Sequence, residues 1–115
     1  MIHSMKLKEG LFEKIANGTK TIEMRLYDEK RQKVQIGDVI EFTNMTTGEK
    51  IQAQVLALHI YPSFEDLYNK FSKVSLGYEE YEIALYTDME QYYLSTEIEK
   101  YGVVGIEIKR VNGWI

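Results

Sequence analysis

Gly18-Thr19-Lys20-Thr21-Ile22-Glu23-Met24-Arg25-Leu26-Tyr27-Asp28 is the stretch from which the rest of the chain is read. From Thr21 to Tyr27 apolar and polar residues alternate with the period of a half-buried strand. Ile22, Met24 and Leu26 fall on one face and predict a core-facing row; Thr21, Glu23, Arg25 and Tyr27 fall on the other. That second row sets a carboxylate beside a guanidinium, close enough to pair, with a phenol next along. Lys20 stands where the chain enters the strand. Two readings fit: a solvated face with an ordinary surface ion pair worth ~0–1 kcal/mol, or a polar binding site beside a glycine turn.

Upstream, Ile2, Ser4 and Lys6 alternate against His3, Met5 and Leu7, which predicts a short strand over 2–7. Leu11, Phe12 and Ile15 share a face at helical spacing, so a helix is predicted over 8–17 and closed by Asn17-Gly18. Downstream, Asp28-Glu29-Lys30-Arg31-Gln32-Lys33 is a charged connector with room for one helical turn. It is either a solvated loop or a basic rim (Lys30, Arg31, Lys33) beside a cleft. Gly37-Asp38 predicts a structural turn before a strand over Val39–Thr43, and Thr47-Gly48-Glu49 a hairpin turn into a long strand from Lys50 to Ile60. That strand is apolar in both parities, with Ile51, Ala53, Val55 and Ala57 on one and Leu56, Leu58 and Ile60 on the other. A strand of this kind is central, or covered on its outer side by a helix.

Pro62-Ser63 launches a second helix, with Ser63 placed to cap the Asp66 N–H. Phe64, Leu67, Tyr68 and Phe71 follow at i, i+3, i+4 and i+7, a packed face rather than a base-stacking platform. Residues 72–87 have no clear period, and Gly77-Tyr78-Glu79-Glu80-Tyr81-Glu82 reads as a loop or frayed turn carrying three carboxylates. Asp88 with Gln91 resembles a capping pair for a short helix over 89–94, and Ser95 or Thr96 opens another turn, closed by Tyr101-Gly102. Val103–Val111 is the last strand, before a tail of Asn112-Gly113-Trp114-Ile115. This order predicts a single α+β domain over 1–115, a small, mostly antiparallel β-barrel with short helices covering its openings.

Composition narrows the function classes. The chain is 44% apolar and 28% charged, ordinary for a globular protein. It has no cysteine, which removes disulfides, thiolate catalysis and cysteine-ligated metal, and fits a reducing cytoplasm. Neither a signal-peptide run nor a membrane span is visible, so a cytoplasmic protein without membrane contact is expected. A net charge of −4 argues against duplex-DNA binding, which depends on phosphate neutralisation. The charge is uneven: residues 1–50 hold nine Lys/Arg against eight Asp/Glu, and residues 51–115 hold five against ten. Any anionic partner is therefore expected on the N-terminal half. His3 and His59 are the only histidines and form no zinc-ligand spacing, and no glycine-rich phosphate loop or Ser-His-Asp set occurs. No cofactor or metal is expected.

The pattern G-x-K-x-x-E-x-R, as Gly18, Lys20, Glu23 and Arg25, resembles the signature of the ASCH domain, a branch of the PUA-like β-barrel superfamily. His3–Leu7, Phe12–Gly18, Ile36–Phe42, Tyr61–Phe64 and Tyr92–Ile106 resemble further family segments in the same order. The resemblance implies a PUA-like barrel that binds RNA, a nucleotide or a modified nucleoside in a cleft lined by the motif's lysine, glutamate and arginine. Here Arg25 and Lys20 would meet anionic groups, Glu23 would accept from a base amine, and Tyr27 or Tyr93 would stack, with Tyr92 packed away. His3 joins this set because the family's first strand borders the cleft.

An enzymatic alternative stays open. One bacterial branch of ASCH-like proteins hydrolyses the acetyl amide of N4-acetylcytidine with a lysine of this motif, a threonine and a distant glutamate. Lys20 matches the lysine, but Glu23 stands where the threonine belongs, and the distant glutamate would have to be Glu79, Glu80 or Glu82. A Lys20–Glu23 contact is expected to raise the lysine pKa, against the needs of such catalysis. A protein-interaction module using the acidic C-terminal half is a third reading.

Overall fold

The strand that follows Gly48 is the spine of the sheet. The computed structural model describes residues 1–111. Strands β1 (Ile2–Leu7), β2 (Ile22–Leu26), β3 (Val39–Asn44), β4 (Lys50–Tyr61) and β5 (Val103–Val111) form one curled sheet in the order β1-β3-β4-β5-β2. All neighbours are antiparallel except β1 and β3, which run parallel. A parallel pair needs a long crossover, and residues 8–38 supply it with helix α1 (Glu9–Ala16), β2 and a 3₁₀ turn (Arg31–Lys33). The mostly antiparallel α+β architecture is as expected, although the barrel is a half-barrel. Among the described residues β1 and β2 share no backbone ladder. Arg25 spans them instead, donating from its guanidinium to the Lys6 carbonyl at 2.9 Å.

The double parity of β4 has a local cause. Val55 pairs with Ile108 and Ala57 with Glu107, so Leu56 is an extra residue in a bulge and stands exposed. A bulge moves every later side chain to the opposite face. Before it, Ile51, Ala53 and Val55 enter the core shared with Phe12 and Ile15 of α1; after it, Leu58 takes over. The other face then turns Tyr61 toward a second core. There Phe64 and Leu67 of α2 (Phe64–Tyr68) and Leu76 of α3 (Lys73–Leu76) close over Ile22, Met24 and Val103. β4 is thus both central and helix-covered. Each fully buried large side chain in these cores contributes ~1.5–3 kcal/mol.

Ser63 caps α2 as its spacing implies, accepting the Asp66 N–H at 3.2 Å. Residues 72–87 hold more structure than their composition suggests. Ser72 opens α3 by accepting the Ser75 N–H, and Gly77 ends it at φ +110. The short helix expected over 89–94 lies earlier, as α4 (Thr87–Glu90), and Asp88 does not cap it. Helix α5 (Ser95–Tyr101) and β5 fall where they were expected. The tail 112–115 lies outside the described residues. Among the described residues no helix is long and apolar enough to cross a membrane.

The turn before β3 is tied to the start of β1. His3 Nε2 lies 2.8 Å from Asp38 Oδ2, which also accepts the Gln35 N–H at 3.0 Å. The His3 contact, then the Gln35 bond, hold the Asp38 carboxyl down at about 2. A carboxylate depressed in the fold stabilises above its unfolded pKa, near 3.8, and loses that contribution as pH falls through about 2. Asp38→Asn should therefore unfold more readily than wild type at pH 5, with the difference closing between about pH 4 and 2. Urea midpoints measured across that range would test this, and a constant difference would contradict it.

Candidate ligand cleft

β2 is covered on both faces. Ile22, Met24 and Leu26 are buried as the alternation requires, but so is Glu23 on the polar row, at 4% exposure. Lys20 is buried as well, at 3%. A solvated surface ion pair is therefore not what the motif forms. Arg25 Nε donates to Glu23 Oε2 at 2.7 Å, and Lys20 Nζ lies 3.4 Å from Glu23 Oε1. Lys20 also donates to the carbonyls of Ile22 and Leu76, the latter at 2.8 Å. Its three N–H donors are thus all used inside the protein. Lys14, from α1, donates to the next carbonyl, Gly77, at 2.7 Å. Two lysines on either side of the Gly18 turn hold the C-terminus of α3, where the helix dipole favours cations.

Burial lowers the Lys20 pKa and outweighs the pull of Glu23, contrary to the expectation that the contact would raise it. Burial pushes Glu23 upward, yet the charges of Lys20 and Arg25 together hold its carboxyl below the usual range. Both partners of the pair are buried away from water.

Beside this network opens a cleft of about 530 Å³. Lys20, Glu23 and Arg25 border it with Lys6, Lys8 and Arg31. Five cationic side chains thus face two carboxylates, Glu23 and Asp88, in a chain that is acidic overall. Leu11, Met24, Met45 and Met89 supply apolar wall, and Tyr68, Tyr78, Tyr92 and Tyr93 the aromatic part. Arg31 comes from the charged connector, where it pairs with Asp28 at 2.9 Å, and its buried Nε has no partner among the described residues. Of the basic rim, only Arg31 reaches the cleft; Lys30 turns to the Ser4 carbonyl.

The tyrosine assignment changes for Tyr92 and Tyr27. Tyr93 borders the cleft but also stacks on Phe64, ring centroids 5.9 Å apart. Tyr92, expected to pack away, is exposed at the rim under Lys8, whose ammonium lies 5.1 Å from its ring centroid. Tyr27 packs against the first core, and neither it nor His3 lines the cleft. Glu79 and Glu82 face Lys14, at 3.3 and 3.9 Å, and no carboxylate of the 79–82 cluster lines the cleft. Lys6, Lys8, Tyr68, Tyr78 and Asp88 were not singled out from sequence as ligand contacts. Lys6 and Lys8 carried the one available signal, two cations flanking the end of a strand predicted to border the site.

The sequence pattern of the ASCH domain matches residues 5–112. The chain belongs to the ASCH-domain family. Two solved structures resemble this ASCH domain over nearly its whole length. The hypothetical protein PH0355 is 32% identical with a TM-score of 0.81, covering 96% of this chain and 100% of that one. Protein PF0455 from Pyrococcus furiosus is 34% identical with a TM-score of 0.71, covering 97% and 99%. A mutant ZmASCH protein from Zymomonas mobilis shares the fold at 12% identity and a TM-score of 0.66, over 96% of this chain and 71% of that one. No curated protein matches the sequence.

Removing one member of a buried charge pair strands the other and costs about 3–5 kcal/mol. Lys20→Met should lose stability on that scale in urea unfolding at neutral pH, whether or not ligand is present. A loss below about 1 kcal/mol, the range of exposed pairs, would mean that the network is solvated.

Proposed function

We propose that this ASCH domain binds single-stranded RNA, a nucleotide or a modified nucleoside in the cleft beside β2. The observation that carries the reading is the concentration of Lys6, Lys8, Arg25 and Arg31 around an aromatic and apolar cleft in a chain of net charge −4. Cationic donors suit phosphate, and the exposed Tyr92 ring suits a base face. Lys20 contributes by positioning, since its donors are occupied by Ile22, Leu76 and Glu23. A cysteine-free chain of this kind suits the cytoplasm.

A charged hydrogen bond to phosphate contributes ~1.5–3 kcal/mol. Arg31→Ala should weaken binding of a short single-stranded RNA about tenfold and flatten its salt dependence by roughly one phosphate contact. Lys33→Ala, outside the cleft, should do neither. Fluorescence anisotropy at several salt concentrations gives both quantities. Equal binding by all three proteins would remove the reading.

One observation favours amide hydrolysis as a second reading: the dry surroundings of Lys20, which lower its pKa. Its three occupied donors and the absence of Glu79, Glu80 and Glu82 from the cleft lining weigh against it. Incubation with N4-acetylcytidine should yield no acetate above a protein-free blank. Sustained release would make this an amidohydrolase.

A further inference from the structure

Glu23 is the carboxylate that the motif offers to a ligand, but it has nothing left to offer. Oε1 faces Lys20 and Oε2 accepts from Arg25, and the side chain is buried. Among the described residues one other carboxylate lines the cleft, that of Asp88. It sits half-buried in the first turn of α4.

Its orientation is set from two other elements. Asp88 Oδ2 accepts the Tyr78 hydroxyl at 2.7 Å, and the Tyr78 oxygen lies 2.8 Å from that of Tyr68. A phenol has one proton to donate, so the row runs from Tyr68 to Tyr78 to Asp88. Tyr68 stands in α2 and Tyr78 just beyond α3, so the carboxylate is braced from two of the helices that cover the second core. Burial, then Tyr68 and Asp88, push the Tyr78 pKa far above that of an ordinary phenol, which keeps it a donor. Asp88 Oδ1 has no hydrogen-bond partner among the described residues. An ionised carboxylate only accepts, and one with a fixed orientation and a free oxygen is matched by paired N–H donors.

We infer that Asp88 reads the base in this cleft and selects the edge of guanine, where a ring N–H and an exocyclic amine lie side by side. The inference rests on the nucleotide reading given above. Uracil sets a carbonyl on each side of its single N–H, so two acceptors would face the carboxylate. Cytosine and adenine each place a ring acceptor beside the amine. These mismatches are repulsive, which is how a fixed acceptor discriminates.

The test is calorimetric titration of the full chain with the monophosphates of guanosine, inosine and uridine. Inosine keeps the ring N–H and lacks the amine. Guanosine should bind about tenfold or more tightly than uridine, with inosine between them, as expected for a bidentate base contact. Asp88→Asn should lose the guanosine preference and leave uridine binding unchanged or improved. Binding of all three within about twofold, or an Asp88→Asn protein that keeps the wild-type ranking, would overturn the assignment. The guanosine-to-inosine ratio needs only wild-type protein, so the inference stays testable if the variant folds poorly. A wild-type protein that binds none of the three and no single-stranded RNA fails the nucleotide reading itself. One that binds RNA without base preference fails Asp88 alone.

Discussion

The architecture turns on one desolvated ion pair. Taking an ammonium and a carboxylate out of water costs several kcal/mol for each ion, and attraction between them offsets this only when their remaining hydrogens and lone pairs are also satisfied. Lys20 and Glu23 meet that condition through Ile22, Leu76 and Arg25. The partners come from far apart in the chain. Lys20 reaches α3, and Arg25 reaches the carbonyl of Lys6 on β1. Meeting the electrostatic demand of two buried charges therefore fixes three elements at once, and these elements form walls of the cleft. A weaker, solvated pair would leave α3 and the β1 edge free to shift.

Gly77 shows how tightly this is built. At φ +110 it occupies backbone that side chains disfavour, and a β-carbon there would lie 3.1 Å from Lys20 Cδ and from Leu11 Cδ2. The lysine stem and the glycine backbone occupy adjoining space, so the helix end and the buried ammonium specify each other. The same glycine is followed by Tyr78, the middle member of the hydroxyl row. The two cleft carboxylates are thereby kept apart: Glu23 in a dry, fully coordinated niche and Asp88 at the open side.

Much of this was legible from spacing. Period-two alternation located β1, β2 and β5 because each keeps one parity toward a core, and the Gly37-Asp38 turn located β3. β4 was legible as an anomaly, since two apolar parities in one strand are what a bulge at Leu56 produces. The motif residues Lys20, Glu23 and Arg25 do converge. Their burial was not legible, because it depends on Leu76, a residue brought from a stretch without periodicity. α3 was missed for the same reason: one turn between Ser72 and Gly77 is too short to show a period. Asp88 looked like a helix cap because Asp in a first turn usually is one, and only the fold brings Tyr78 to it. Tyr92 and Tyr93 are indistinguishable in composition, and the partner of each, Lys8 or Phe64, is distant in sequence.

The strand order has a consequence for how the molecule comes into being. Among the described residues β2 has a single ladder neighbour, β5, with Glu23 opposite Ile106. Of the five described strands β5 comes last in sequence. During translation the stretch bearing Lys20, Glu23 and Arg25 emerges well before β5, the strand it joins. β1, β3 and β4 can assemble meanwhile, with α1 packed on them. A ribosome-bound chain that has not yet made β5 therefore carries the cleft's chemistry without its shape, and the two charges become desolvated only as β5 closes the sheet. Folding of this domain ends where its sequence motif begins.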